Sequence, residues 1–261
     1  MANDGTHGGM GAALITGGGR RIGRAIALSL ARAGYAVVLH AHRSRAEADA
    51  LAAVIIDEGG RATVVHADLA EPSDVRALVP AAAAAFGPLS LLVNNASVFE
   101  EDEIGTLERA HFELTMAVNL TAPLLLAQAF AAQAGELIKS GRDASIVNIV
   151  DQRVLRPTPK FFSYALSKSA LYVATTTLAQ ALAPLRVNAV APGPTLPSPR
   201  QTDAQFAVQS AAVPLGQGPS PEDIAAAVLY LAGAKSVSGV TLAVDGGQHL
   251  AWRTADADVA E

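Results

Sequence analysis

The chain has 261 residues, of which 51% are apolar, with no cysteine and a formal net charge of -5. That length and apolar content allow a full-sized core in one large domain, and the lack of cysteine excludes disulfides, thiolate metal sites and a cysteine nucleophile. The mild acidity, without a basic stripe interleaved with aromatics, argues against nucleic acid as the main partner and for a small molecule.

The first ten residues carry no basic segment followed by an apolar one, so 1–10 read as a flexible leader without an export signal, and a cytoplasmic location is expected. No run reaches the roughly 18 uninterrupted apolar residues of a membrane span, and no membrane partner is expected. Between 11 and 250, short β-branched apolar runs alternate with longer amphipathic stretches. Strands are expected at 12–16, 36–42, 62–67, 89–95, 145–150, 186–192 and 239–247. Helices are expected at about 21–33, 44–58, 73–86, 107–134, 161–182, 202–212 and 221–232. The second helix opens with Ser44 and Glu47 in capping-box spacing, and the last with Ser220, Pro221 and Glu222. The strands lack hydrophobic/polar alternation, which suits a sheet buried on both faces. Strict alternation of strand and helix gives right-handed crossovers, hence a single α/β domain with a doubly wound seven-stranded parallel sheet of Rossmann type. A proline-rich connection at 191–201 lies where a loop could close over a ligand, and residues 251–261 form an acidic C-terminal tail.

Directly after the first strand comes Thr16-Gly-Gly-Gly-Arg-Arg-Ile-Gly23, opening a helix. Gly17, Gly18, Gly19 and Gly23 let the backbone approach a pyrophosphate, and the helix N-terminus offers free N–H groups. Arg20 and Arg21 add charge where the phosphates would sit. Sites that prefer NAD place an acid at the end of the second strand for the ribose 2′-hydroxyl. Here that place reads His40-Ala-His42-Arg43-Ser44, with an arginine, a hydroxyl and a helix N-terminus that suit a 2′-phosphate, so NADP(H) is the expected cofactor. His40 and His42 share a strand face but have no visible third ligand, and no metal site is expected.

Tyr164 and Lys168 stand four apart on one helix face, where the ammonium is expected to lower the tyrosine pKa and make it a usable proton donor. Together with Asp68-Leu69, Asn94-Asn95-Ala96, Asn119, Pro192-Gly193 and Asp245-Gly246-Gly247, in this order, these motifs resemble the short-chain dehydrogenase/reductase family over about residues 10–250. The resemblance implies that Asp68 and Leu69 contact the adenine, Asn95 and Ala96 the cofactor ribose, Lys168 the nicotinamide ribose, and Pro192 and Gly193 the nicotinamide. It implies catalytic roles for Tyr164, Lys168 and Asn119, and a homotetramer.

Most members of that family carry serine thirteen residues before the tyrosine, and this chain has Asp151. The replacement resembles the pteridine reductase and dihydromonapterin or dihydrofolate reductase branch. Four further features resemble the same branch: the second arginine of the glycine turn, Arg21; the His-Ala-His-Arg-Ser turn; Ser97 followed by Phe99; and the end of the last strand. By this resemblance Arg21, Ser97, Phe99, Asp151 and Tyr164 would hold a pterin, with Ser97 also against the cofactor. Physically, a carboxyl suits a C=N acceptor, since it tolerates cationic charge and can help protonate the nitrogen, whereas serine only hydrogen-bonds. Asp151 close to Tyr164 would oppose the effect of Lys168 and keep the phenol protonated. A reductase acting on another carbonyl or imine is the second reading.

Overall fold

The computed structural model describes residues 10–252. The expected leader and acidic tail therefore fall almost wholly outside the described residues. The seven expected strands form one sheet: β1 (Ala12–Thr16), β2 (Ala36–Ala41), β3 (Arg61–His66), β4 (Leu89–Asn94), β5 (Ser145–Ile149), β6 (Arg186–Pro192) and β7 (Thr241–Val244). Their order is β3-β2-β1-β4-β5-β6-β7 and every pairing is parallel.

The pleat explains why the strands read as continuous apolar runs. Ala13 and Ile15 of β1 enter one core layer with Leu39 of β2 and with Ile26 of α1 (Arg21–Arg32), Leu51 of α2 (Arg45–Asp57) and Val228 of α8 (Pro221–Gly233). Ala12 and Leu14 enter the opposite layer with Val75 of α3 (Pro72–Phe86) and Phe130 of α5 (Ala122–Lys139). Both sheet faces are thus apolar, and each fully buried Leu, Ile or Phe contributes about 1.5–3 kcal/mol. The remaining helices are α4 (Arg109–Met116), α6 (Phe162–Ala181) and α7 (Asp203–Ala211).

Four details depart from the expected pattern. The long helix expected over 107–134 is α4, a π turn at Ala117–Thr121, and α5 running on to Lys139. Pro123 has no N–H to return to the carbonyl of Asn119, so a regular α register cannot run through this point. The segment Arg109–Lys139 is also long and apolar enough to pass for a membrane span, but Leu126, Ala127, Phe130 and Ala134 are buried in the core. Ser44 sits before α2 without a capping hydrogen bond from its side chain. Ser220 does cap α8, but its reciprocal partner is Asp223 rather than Glu222. Finally, β7 ends at Val244 because Asp245 accepts from the N–H groups of Gly247 and His249 and turns the chain away.

Candidate active site

The sheet order reverses between β1 and β4, and the crevice beyond the carboxyl ends of those strands is where doubly wound sheets take ligands. Thr16, the last residue of β1, ties the two strands together: its Oγ1 accepts from the backbone N–H of Asn95 at 2.9 Å and of Ala96 at 3.0 Å. Asn95 answers by donating Nδ2 to the carbonyls of Thr16 and Gly17. Gly23 is required there because a Cβ would collide with the Gly17 carbonyl and with the same Asn95 amide. Helix α1 then starts with no side chain capping it and no acid in its first turn, which leaves its first N–H groups open beside Arg20 and Arg21. The turn suits a pyrophosphate, and Ile22 anchors it by packing on the core. Arg21 adopts φ 54°, one of two non-glycine residues with positive φ among those described. Its guanidinium donates to the carbonyls of Pro197 at 2.9 Å and Leu196 at 3.4 Å, so it straps the 194–201 segment to the glycine turn.

The tip of β2 is locked to the same turn. Gly18 N–H donates to the His40 carbonyl at 3.2 Å, and Gly17 N–H to His40 Nδ1 at 3.2 Å, while Nε2 lies 3.0 Å from the Ala67 carbonyl. That pattern requires the neutral ring protonated on Nε2, and burial lowers the His40 pKa in agreement. Immediately beyond, Arg43 is exposed, Ser44 leaves the N-terminus of α2 uncapped, and His42 Nδ1 lies 3.6 Å from Asp68 Oδ1. Asp68 also accepts from Ala70 N–H, and Leu69 is buried in the core, so its side chain packs rather than facing the crevice. At the far side, Pro192 ends β6, and Gly193 follows where a Cβ would stand 2.6 Å from Asp245 Cα.

Chemistry-bearing side chains converge beyond β5. Asp151 opens a short turn in which its Oδ1 accepts from Arg153 N–H at 2.8 Å. Its Oδ2 accepts the Tyr164 hydroxyl at 2.8 Å and faces Arg153 Nη1 at 3.2 Å. Tyr164 is 7% exposed. Burial first, then the Asp151 charge and the hydrogen bond to it, raise its pKa well above the usual value. Lys168 is 2% exposed, donates to the Ile149 carbonyl at 2.8 Å, and lies 5.8 Å from the Tyr164 ring centroid. Burial lowers its pKa to about 8. The lowering expected from Lys168 does not prevail: burial, and then the opposing effect expected of Asp151, raise the tyrosine pKa instead.

Asn119 sits fully buried in the π turn. Its Oδ1 accepts from Val98 N–H and Ser97 Oγ, and its Nδ2 donates to the Val98 carbonyl and Ser167 Oγ. It makes no hydrogen bond to Tyr164 or Lys168, so it braces the 97–98 segment against α6. The Ser97 hydroxyl is engaged in the same brace. Phe99 follows, stacked on Phe161 with ring centroids 4.4 Å apart and edge-on to Tyr164 at 4.6 Å. Arg153 and Arg200 lie 5.3–5.7 Å from both ring centroids, which places them along the edges of the stacked pair. Arg200 is held there by Glu100 and the Phe99 carbonyl.

A family described as enoyl-(acyl carrier protein) reductase matches residues 17–249. A crystal structure of FolM alternative dihydrofolate reductase 1 from Brucella canis, complexed with NADP, is 48% identical, superposes with a TM-score of 0.89, and covers 95% of this chain and 97% of its own. An uncharacterized oxidoreductase of Methylorubrum extorquens is 37% identical over 246 residues, spanning 90% of this chain and 96% of its own. A 3-oxoacyl-[acyl-carrier-protein] reductase of Synechocystis is 32% identical over 241 residues, spanning 90% and 95%. The chain belongs to the short-chain dehydrogenase/reductase family.

Most of the residues singled out in the sequence gather at one end of the sheet, and three others, Phe161, Arg153 and Arg200, lie among them. Phe161 lies one helical turn before Tyr164, and its φ of 55° is the second positive value among non-glycine residues. Such strain costs about 1–3 kcal/mol and collects at functional sites. The i-3 spacing to the tyrosine was the available signal. Arg153 was marked only by standing two residues after Asp151, and Arg200 by nothing local, since it arrives from the proline-rich segment.

Proposed function

We propose that the protein uses NADPH to reduce a dihydropterin, such as dihydromonapterin, dihydrobiopterin or dihydrofolate, to the tetrahydro form. The observation that carries this reading is the hydrogen bond from Tyr164 to the carboxylate of Asp151, where a serine would meet a ketone oxygen. The similarity to FolM alternative dihydrofolate reductase supports it.

In this reading the glycine turn with Gly17, Arg20, Arg21, Ile22 and Gly23 holds the pyrophosphate, and His42, Arg43 and Ser44 hold the 2′-phosphate. Asp68 and the backbone of Leu69 border the adenine; Asn95, Ala96, Ser97 and Lys168 the riboses; and Pro192 and Gly193 the nicotinamide. When bound, the cofactor supplies the hydride.

The chain's own residues then have distinct tasks. Phe99 presents an aromatic face to the pterin, and Arg21 and Ser97 border its polar edge. The 4.4 Å spacing of Phe99 and Phe161 leaves no room for a ring between them, so the pterin stacks on an outer face of the pair. Tyr164 carries the proton destined for the ring nitrogen. A phenol with a raised pKa keeps that proton until charge develops on the acceptor. Asp151 stabilises by charge the positive character that the C=N gains as the proton moves onto its nitrogen, and Arg153 fixes the carboxylate from behind. Lys168 adds positive charge beneath the tyrosine ring.

NADPH oxidation with dihydromonapterin, dihydrobiopterin and dihydrofolate, with the product identified as the tetrahydropterin, tests the reading. Turnover of at least one is expected. Failure on all three together with turnover of a ketone overturns it.

A further inference from the structure

A cavity of about 280 Å³ opens beside the aromatic pair, lined among others by Gln152, Arg153, Arg156, Lys160, Phe161 and Gln248. It is too small for the roughly 300–1,000 Å³ typical of pockets that enclose a whole ligand, so it suits a part of one. Its lining carries three cations and no acid, in a chain whose net charge is -5. Asp151 neutralises Arg153 alone. Arg156 and Lys160 form no ion pair among the described residues. Gln152, 8% exposed, also lines the cavity and adds a carboxamide to the cationic lining. The cavity also joins the proposed reaction centre, because Arg153 touches Asp151 on one side and lies 5.3 Å from the Phe161 ring on the other.

We propose that this cavity takes the anionic end of the substrate's side chain, a carboxylate or a phosphate group, and so favours charged pterins over neutral ones; the assignment rests on the pterin reading above. Arg156, Lys160 and the Gln152 amide bind the anion, while Arg153 stays with Asp151 and separates the two negative charges.

The test uses the full chain loaded with NADPH. Calorimetry measures binding of p-aminobenzoyl-L-glutamate and of inorganic phosphate, beside steady-state reduction of dihydrofolate and dihydromonapterin. Both cations are exposed, so the double variant Arg156→Gln/Lys160→Gln is expected to fold. Wild-type protein should bind at least one probe, and the variant should bind it about tenfold or more weakly. Binding of the glutamate probe assigns a carboxylate, and the KM for dihydrofolate should then rise by a similar factor in the variant, with the KM for dihydromonapterin unchanged. Binding of phosphate alone, with both KM values unchanged, assigns a phosphate ester. Wild-type protein that binds neither probe, binding that the variant leaves intact, or KM values that rise equally on both substrates would overturn the cavity assignment and leave the pterin reading standing. Probe binding that the variant loses, in an enzyme that reduces no pterin, would keep the cavity and remove the pterin reading.

Discussion

The Tyr164 hydroxyl donates to Asp151 Oδ2 at 2.8 Å, and the same oxygen faces the guanidinium of Arg153 at 3.2 Å. Tyrosine, carboxylate and guanidinium therefore form a chain of alternating polarity in a largely buried site. The carboxylate next to the phenol, together with burial, keeps the phenol protonated through the neutral range. The group that titrates near working pH is instead Lys168, at about 8.

This assigns the alkaline limb of the rate profile. In the free enzyme kcat/KM should fall with an apparent pKa near 8 as Lys168 loses its proton, since kcat/KM reports free-enzyme groups. In Lys168→Arg, whose guanidinium does not titrate in this range, the limb should move beyond pH 10 in whatever activity remains. A limb that stays near 8 in that variant would assign it to another group.

Arg43 follows β2 at the place where an acid would select NAD. Hydrogen bonds to charged groups are worth about 1.5–3 kcal/mol, so Arg43→Asp should shift the kcat/KM ratio of NADPH to NADH toward NADH by about 10- to 100-fold. Kinetics with the two cofactors at fixed substrate check this, and an unchanged ratio would remove Arg43 from the phosphate site.

His40 holds the glycine turn only when neutral, because Nδ1 must accept from Gly17. Its folded pKa is depressed by burial, so the unfolded chain takes up the proton first as pH falls. Stability should therefore be full above the ordinary histidine value of about 6.5 and decline as pH drops below it. Thermal unfolding between pH 8 and 5 should show this slope in the wild type. His40→Gln, which keeps a donor and an acceptor but does not titrate, should flatten it, while His40→Ala should cost about 1–3 kcal/mol at neutral pH from the unpaired Gly17 and Ala67 groups.

Much of this was legible in the sequence. The seven strands and their parallel arrangement followed from apolar runs without alternation, because a sheet covered by α1, α2 and α8 on one face and α3 and α5 on the other buries every position of β1, β2, β4, β5 and β6. The glycine turn, Asp151, Tyr164 and Lys168 were legible because local spacing decides their placement. What depends on distant chain was not. Phe161 stacking on Phe99 joins residues 62 positions apart, and Arg200 reaches that pair from the segment after β6. Asn119 was recognisable as a motif, but its work as a brace appears only where the π turn aims it at Val98 and Ser167. The opposing effect of Asp151 on the tyrosine is legible in the sequence, but the Tyr-Lys spacing does not say that burial, with Asp151, outweighs the ammonium.

Joint action of Asp151 and Tyr164 on the ring nitrogen is read from kcat/KM for dihydromonapterin in wild-type, Asp151→Ser and Asp151→Asn enzymes, with NADPH affinity measured alongside. Positioned acid–base groups contribute about 10²- to 10⁴-fold. Both variants should lose activity in that range while binding NADPH within about twofold of the wild type. An Asp151→Ser enzyme that reduces dihydromonapterin as well as the wild type would contradict the account.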